Sequence, residues 1–504
     1  RAGVRFATVL STLPDHPDHI IVQWNKRSLR YFGLYKVNVR KGRPELMTDK
    51  MSNVTEWFVD HEGVPRGALV IKGLDGEFLY RSSLDEEFRA LRKFNLLDEG
   101  ISPLGFDYDN KTMYVTSDIG RETAAVYTYD PETDELGELL FGHDEVDVGG
   151  LIMSREQKKL LGVTYFDDYP RRHYFDEVEG QIIAKLEEAF PGKTVSIVSA
   201  TKDETLNILL VHNDRDPGSY YLYDRKAGQV RFLVSRMDWI DPQRMLPMQP
   251  IEFDARDGLK IRGYVTVPKD REDGEKLPLI VNPHGGPFGV RDYWGYNPEH
   301  QFFASRGYAV VQVNYRGSGG YGRDFEQAGY GEWGREMQHD LSDAVHYLVE
   351  EGIADPDRVC IYGGSYGGYA TMAGMTFTPE LYRCGINYVG VTDVPLLFDS
   401  MPRHWEPLKE LMKAQIGDPK DEEFMDSISP IAHVDKIDDP ILIVHGRRDP
   451  RVVIEHAEKL RRQMKRSEKE FEWLVKNNEG HGFRKEENRL ELYKTMETFL
   501  SQHL

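Results

Sequence analysis

A strand-like pattern ending in tyrosine recurs along the first half of this chain at a nearly constant interval. Leu34-Tyr35, Leu79-Tyr80, Val126-Tyr127, His173-Tyr174 and Tyr220-Tyr221 stand 45 residues apart at the first interval and 47 at each of the next three. A second apolar strand pattern precedes each one, at residues 20–23, 68–71, 113–116, 160–163 and 208–211. Turn residues such as Asp130-Pro131 and Asp224 to Gly228 follow the later tyrosines. A repeat of about 45 residues holding several strands is the signature of a β-propeller, because such a unit buries its faces only against its neighbours. The tyrosines therefore read as blade packing. About five blades fit into residues 1–245, and Pro242, Pro247 and Pro250 mark a linker after them.

Residues 246–504 follow a different rhythm. Residues 251–255 and 260–267 alternate apolar and polar around Asp257-Gly258, which predicts an antiparallel hairpin. Beyond it, apolar patterns at 279–281, 302–304, 308–313, 341–349 and 359–362 alternate between strand and helix. Alternation of this kind implies parallel strands joined by crossover helices. The expected fold is an α/β hydrolase, a doubly wound and mostly parallel sheet, preceded by an all-β propeller.

Three loops of the second half carry a chemistry. Gly363-Gly364-Ser365-Tyr366-Gly367 follows the strand pattern at 359–362 and precedes the helix pattern at 369–375. A serine on such a strand-to-helix turn projects its oxygen above a sheet, and the flanking glycines let strand and helix come close. Downstream, Asp449 follows the apolar run 440–446, and His481 follows the strand pattern 472–475 and stands between Gly480 and Gly482. Singly, these read as a turn aspartate and a loop histidine. In the order serine, aspartate, histidine, each past a strand end, they read as a catalytic triad. Imidazole suits the role of base because its ordinary pKa near 6.5 lets it take and return a proton around neutrality. A further strand pattern, 279–281, leads into Asn282-Pro283-His284-Gly285-Gly286-Pro287. Given the triad, this turn is expected to supply one backbone donor of an oxyanion hole, and the residue after the nucleophile, Tyr366, the other.

The runs His284-Gly-Gly-Pro287, Asn314-Tyr-Arg-Gly-Ser-Gly-Gly-Tyr-Gly322 and Gly364-Ser-Tyr-Gly-Gly-Tyr369 resemble the prolyl oligopeptidase family of serine peptidases, nearest to its acylaminoacyl-peptidase and dipeptidyl-aminopeptidase-like branch. The resemblance covers roughly residue 246 to the end. It implies Ser365, Asp449 and His481 as triad, the amides of Gly286 and Tyr366 as oxyanion hole, and Arg451 as a substrate-orienting arginine. His284 stands where one branch of the family has a tyrosine whose hydroxyl enters that hole. This implies a backbone-only hole and argues against the behaviour of true prolyl oligopeptidase or dipeptidyl peptidase IV. The family usually has seven or eight blades, so with a chain that opens on Arg1 the propeller is expected to be incomplete at its N-terminus, by about two blades; a five-bladed ring is the alternative. The segment 391–398 is implied in the S1 pocket, where Val394, Leu397 and Phe398 call for a hydrophobic P1 side chain; the same residues read equally well as plain core.

Composition sets the remaining bounds. Net charge is −20, which disfavours nucleic-acid and anionic-membrane partners. No apolar run approaches the roughly 20 residues of a membrane-spanning helix, so the sequence reads as soluble, cytoplasmic or periplasmic. The two cysteines, Cys360 and Cys384, fall on predicted neighbouring strands and read as buried thiols. No metal cluster or cofactor motif is evident, and a homo-oligomer is compatible with the sequence. The expected substrate is a short peptide, with acylaminoacyl-peptidase-like specificity. The Glu86-Glu87 and Glu187-Glu188 pairs read as helix-like and solvent-facing, which favours blocked or longer peptides over free dipeptide ends. Dipeptidyl aminopeptidase, oligopeptidase and esterase activities are alternatives, and a non-catalytic propeller scaffold is the rival of another class.

Overall fold

The computed structural model describes residues 5–504 except 14, 49–50 and 270–273; Arg1 lies outside the described residues. The first half forms five antiparallel sheets, each made of strands consecutive in sequence. These are five blades of a propeller. Every repeated tyrosine falls on the third strand of its blade: Gly33–Asn38, Asp75–Tyr80, Ala125–Asp130, Pro170–Tyr174 and Ser219–Asp224. Tyr35 and Tyr80 are buried, and Tyr127, Tyr174 and Tyr221 pack against the cores of their blades.

The fourth blade has three strands, and the chain then enters helix α1 (Glu177–Glu188). Asp176 caps this helix by accepting the Glu179 amide at 2.9 Å, and Ile183 and Leu186 face Val195, Leu209 and Val211 of the fifth blade. Glu187 pairs with Arg172 at 3.1 Å, and Glu188 is exposed. Glu86 and Glu87 are also exposed, but they lie in a bend and not in a helical stretch.

The second half is one eight-stranded sheet. Its strands are β1 (Met248–Asp254), β2 (Lys260–Thr266), β3 (Leu277–Val281), β4 (Ala309–Asn314), β5 (Ala354–Gly364), β6 (Cys384–Tyr388), β7 (Ile441–Gly446) and β8 (Phe471–Lys476), in the order β1-β2-β4-β3-β5-β6-β7-β8. The hairpin β1–β2 is antiparallel, and from β4 to β8 all pairs are parallel. Apolar residues on both faces make two cores. Ile280, Val310, Tyr362 and Val444 face one way, against the C-terminal helix Glu486–His503. Leu279, Val311, Ile361 and Ile443 face the other, against helices α4 (Glu336–Glu350) and α5 (Tyr366–Phe377). Helices α2 (Pro298–Ala304) and α3 (Arg323–Gln327) lie between β3 and α4. Cys360 and Cys384 are register partners on β5 and β6, both fully buried. Among the described residues no helix is long and apolar enough to cross a membrane.

The loops after β3 and β4 tie the sheet to the propeller. Arg291 donates to the carbonyls of Phe166 and Asp167 at 3.3 and 3.1 Å and lies 4.0 Å over the Tyr321 ring. Arg323 meets Asp118 at 2.9 Å, and the Gln327 amide reaches the Leu97 carbonyl at 2.7 Å. Beside Arg291, the Asp292 Oδ2 is buried near the Gln312 side chain, and burial pushes the carboxyl up to about 7. The fold thus prefers neutral Asp292, whereas an unfolded aspartate titrates near 3.9. The stability this contributes is fully present below about pH 4 and is lost as pH rises through 7. Urea midpoints of Asp292→Asn, which cannot ionise, are expected to fall less than wild type between pH 5 and 8; parallel curves for the two proteins would contradict this.

Candidate active site

Strand β5 ends at Gly364, and Ser365 turns the chain into α5 with φ 62° and ψ −118°. A side-chain-bearing residue in this region carries roughly 1–3 kcal/mol of strain that its surroundings must hold. They hold it by close approach of backbones. A Cβ on Gly363 would stand 2.6 Å from the backbone of Gly367, and one on Gly367 would stand 2.2 Å from the Pro283 carbonyl oxygen. The Ser365 amide donates to the Tyr388 carbonyl at 3.0 Å, fixing the turn to the end of β6.

The turn after β3 runs alongside. A Cβ on Gly285 would lie 3.4 Å from that of Ser365, and Gly286 adopts φ 125°. The turn is braced from below. The Tyr315 hydroxyl donates to the His284 carbonyl at 2.8 Å, and the His284 ring stacks on Tyr315 and meets the Ser318 hydroxyl at 3.0 Å. Burial depresses the His284 imidazole to about 4, so it stays neutral and acts as a packing and hydrogen-bonding group. The amide of Tyr366 opens α5, where helix N–H groups lack intrahelical partners.

Asp449 lies in the loop after β7 with its side chain fully buried. Its Oδ1 accepts the amides of Arg451 and Val452 at 2.8 and 3.0 Å, and its Oδ2 meets His481 Nδ1 at 2.6 Å. This leaves the His481 Nε2 as the free ring nitrogen. The loop bearing His481 is fixed through buried Glu479, whose carboxylate accepts the amides of Arg484 and Lys485. No hydrogen bond links Ser365 Oγ to His481 among the described residues, and catalytic contacts of this kind often tighten only as substrate binds.

A cavity of about 260 Å³ opens beside Ser365. Of the residues singled out from sequence, Gly286, Tyr366, Leu397 and Arg451 line it. Val394 and Phe398 do not: they lie on helix α6 (Val394–Ser400), 0% and 5% exposed, and fill the sheet's core. A helix turns only some of its side chains towards any one neighbour, and here Leu397 alone of the three reaches the cavity.

The opposite wall was not anticipated. It comes from Trp405 and from Leu408, Leu411, Met412, Gln415 and Ile416, around helix α7 (Lys409–Ile416). The last five stand at i, i+3, i+4, i+7 and i+8, the helical stripe that could have revealed an amphipathic helix with its apolar face on the site. This wall touches the propeller, since Arg30 forms an ion pair with Glu406 and Phe6 packs on His404 at 4.4 Å.

A second chamber, of about 310 Å³, lies between propeller and sheet on the far side of a Phe288–Tyr330 ring contact of 5.1 Å. Asp98, Asp118, Glu122, Asp147 and Glu326 line it, with Arg323 as the basic member. Burial raises the carboxyls of Glu122, Asp147 and Glu326 above their ordinary range.

An α/β sheet with a serine elbow at its strand ends, joined to a propeller, defines a class: serine hydrolases that work beneath a β-propeller. The model of the prolyl oligopeptidase family matches residues 294–504. Dipeptidyl aminopeptidase BIII of Pseudoxanthomonas mexicana is 33% identical over 99% of this chain and 73% of its own length. Dipeptidyl peptidase family member 6 of Caenorhabditis elegans is 30% identical over 86% of this chain and 63% of its own. The acylamino-acid-releasing enzyme of Arabidopsis thaliana is 32% identical over 43% of this chain and 29% of its own. A puromycin-hydrolysing peptidase of Mycobacterium tuberculosis shares the fold, with a TM-score of 0.77 at 21% identity over 98% of this chain and 78% of that one. The chain belongs to the prolyl oligopeptidase family and is a serine peptidase.

Proposed function

We propose that residues 246–504 form the catalytic domain, that residues 1–245 form a propeller restricting it to short peptides, and that the enzyme removes dipeptides from free amino termini. The observation that carries the catalytic part is the Asp449–His481 hydrogen bond of 2.6 Å at the sheet edge that also bears the strained Ser365. Ser365 Oγ attacks the scissile carbonyl as His481 Nε2 takes its proton. The amides of Gly286 and Tyr366 stabilise the oxyanion, and His481 returns the proton to the leaving amine. Water then attacks the acyl-enzyme by the same route in reverse. Asp449 holds the imidazole in the tautomer with hydrogen on Nδ1. Arg451, at the cavity rim, orients the substrate backbone, and the apolar cavity takes a hydrophobic P1 side chain.

The preference for free amino termini is supported by the names of the two relatives matched over most of this chain and by the acid-lined chamber. An ammonium entering that chamber would relieve the mutual repulsion of its carboxylates. Acylaminoacyl-peptidase activity is the second reading, favoured by the exposure of Glu86 and Glu87 and by the apolar cavity. A panel of chromogenic free dipeptides, acetylated single residues and p-nitrophenyl esters separates them. Free dipeptides are expected to turn over fastest. Glu326→Gln is expected to raise KM for free dipeptides about tenfold and leave that for acetylated substrates within twofold. Faster cleavage of acetylated Leu or Phe, or equal KM changes on both classes, would sink the dipeptidyl reading, and turnover of esters alone would make the protein an esterase.

A further inference from the structure

We propose that Tyr388 is a positioning residue that fixes the histidine loop to the serine turn, through its backbone carbonyl on one side and its phenolic oxygen on the other. The inference rests on the reading of Ser365 and His481 as nucleophile and base, and it adds what sets the distance between them. His481 stands between Gly480 and Gly482, the latter at φ 99°, so the local backbone does little to hold the imidazole over the serine. Asp449 fixes the ring's orientation through Nδ1, and Glu479 ties down the following residues. Neither carboxylate touches the serine turn.

Tyr388 touches both loops. It is the last residue of β6, paired with Gly364 on β5 and with Val444 on β7, so its backbone is clamped between the strands that carry nucleophile and acid. Its carbonyl accepts the Ser365 amide at 3.0 Å. Its hydroxyl oxygen accepts the Phe483 amide, two residues past His481. The Tyr388 and Phe483 rings meet edge to face at 5.5 Å and 85°.

The site is built to keep this side chain in place. Val389, directly after it, adopts φ 47°, a conformation unfavourable for a β-branched residue, and the Asn387 side chain accepts the Gly390 amide at 3.0 Å to hold the turn. A Cβ on Gly482 would lie 3.7 Å from the Tyr388 hydroxyl, which marks how closely the loop lies against the phenol. Burial raises the phenol above its ordinary value, so the oxygen stays a neutral acceptor throughout the working range.

Tyr388→Phe removes the acceptor and keeps the ring. The expected result is a fall of about tenfold in kcat with KM within twofold, and an equal fall in the rate at which a fluorophosphonate inactivates the enzyme. That inactivation needs the base but no peptide binding. Amide exchange over residues 480–485 is expected to quicken in the variant, with the remaining exchange unchanged. In a His481→Ala background the same substitution is expected to cost nothing further, because the loop then carries no base to position. A kcat within twofold of wild type, or a tenfold loss that persists in the His481→Ala background, overturns the positioning role. Full activity of His481→Ala alone would instead overturn the assignment of the base, which keeps the two failures distinguishable.

Discussion

Ser365→Ala is expected to abolish peptide turnover, by about ten-thousandfold or more, while leaving the urea midpoint close to that of wild type. Loss of a triad nucleophile acts on this scale because the remaining groups then have nothing to activate. Stability is expected to be nearly unaffected because alanine keeps the Cβ that the turn already accommodates at φ 62°, and because the turn is held by the Ser365 amide and not by the hydroxyl. A fluorophosphonate should label Ser365 alone among the serines, as read by mass spectrometry of the digested adduct. Labelling at another serine, or turnover within a hundredfold in the alanine variant, removes Ser365 from the role.

The second large effect is on stability. Arg316, in the loop after β4, is buried and bidentate to two aspartates: Asp340 on α4 at 2.7 and 3.0 Å, and Asp257 in the β1–β2 turn at 2.8 and 3.1 Å. Its own amide also donates to Asp340 at 2.8 Å. The Asp340 side chain is 0% exposed and that of Asp257 is 42% exposed, so Asp340 supplies the unscreened part of the neutralisation. Breaking such a buried pair by removing one partner costs about 3–5 kcal/mol, since the other charge is left without compensation. Asp340→Ala is expected near the lower figure because Asp257 remains. The hydrolase transition in urea, followed by tryptophan fluorescence, measures it, and a loss below about 1 kcal/mol would show that Asp257 and solvent suffice. The same variant should lower kcat, because Tyr315 and Ser318, which brace the His284 turn, flank Arg316 in the same loop.

The propeller is legible in the sequence because each blade sets its tyrosine on its third strand, so the interval between tyrosines follows the blade repeat. The same regularity hides helix α1, which follows the third strand of the fourth blade without disturbing the interval to Tyr221. The strand-end placement of Ser365, Asp449 and His481 is legible because short apolar runs bounded by glycine or proline have one good reading in a two-faced sheet. The walls of the cavity are less so. Hydrophobicity tells that Val394, Leu397 and Phe398 leave water, but not whether they face a cavity or a packed core, and neighbours on one short helix divide between the two. Trp405 and Met412 lie some 40 residues or more past the serine in a stretch without a motif, and they reach the site through tertiary packing alone. The acid-lined chamber is assembled from residues spread between Asp98 and Glu326, a grouping that only the contact between propeller and sheet creates.

The contrast between sequential blades and a shuffled sheet has a consequence in time. Each blade closes from strands adjacent in the chain, so its contacts become available almost as soon as its residues are made. The eight-stranded sheet cannot be ordered that way, because β3 must wait for β5 across three intervening helices and β4, and β7 and β8 come later still. A chain growing from its N-terminus therefore builds the propeller before the sheet whose cavity it is proposed to restrict. The proposed nucleophile, acid and base emerge in that order, at 365, 449 and 481. Until residue 481 has been added a nascent chain lacks the proposed base, so on that assignment its serine stays unactivated until the five blades have been made.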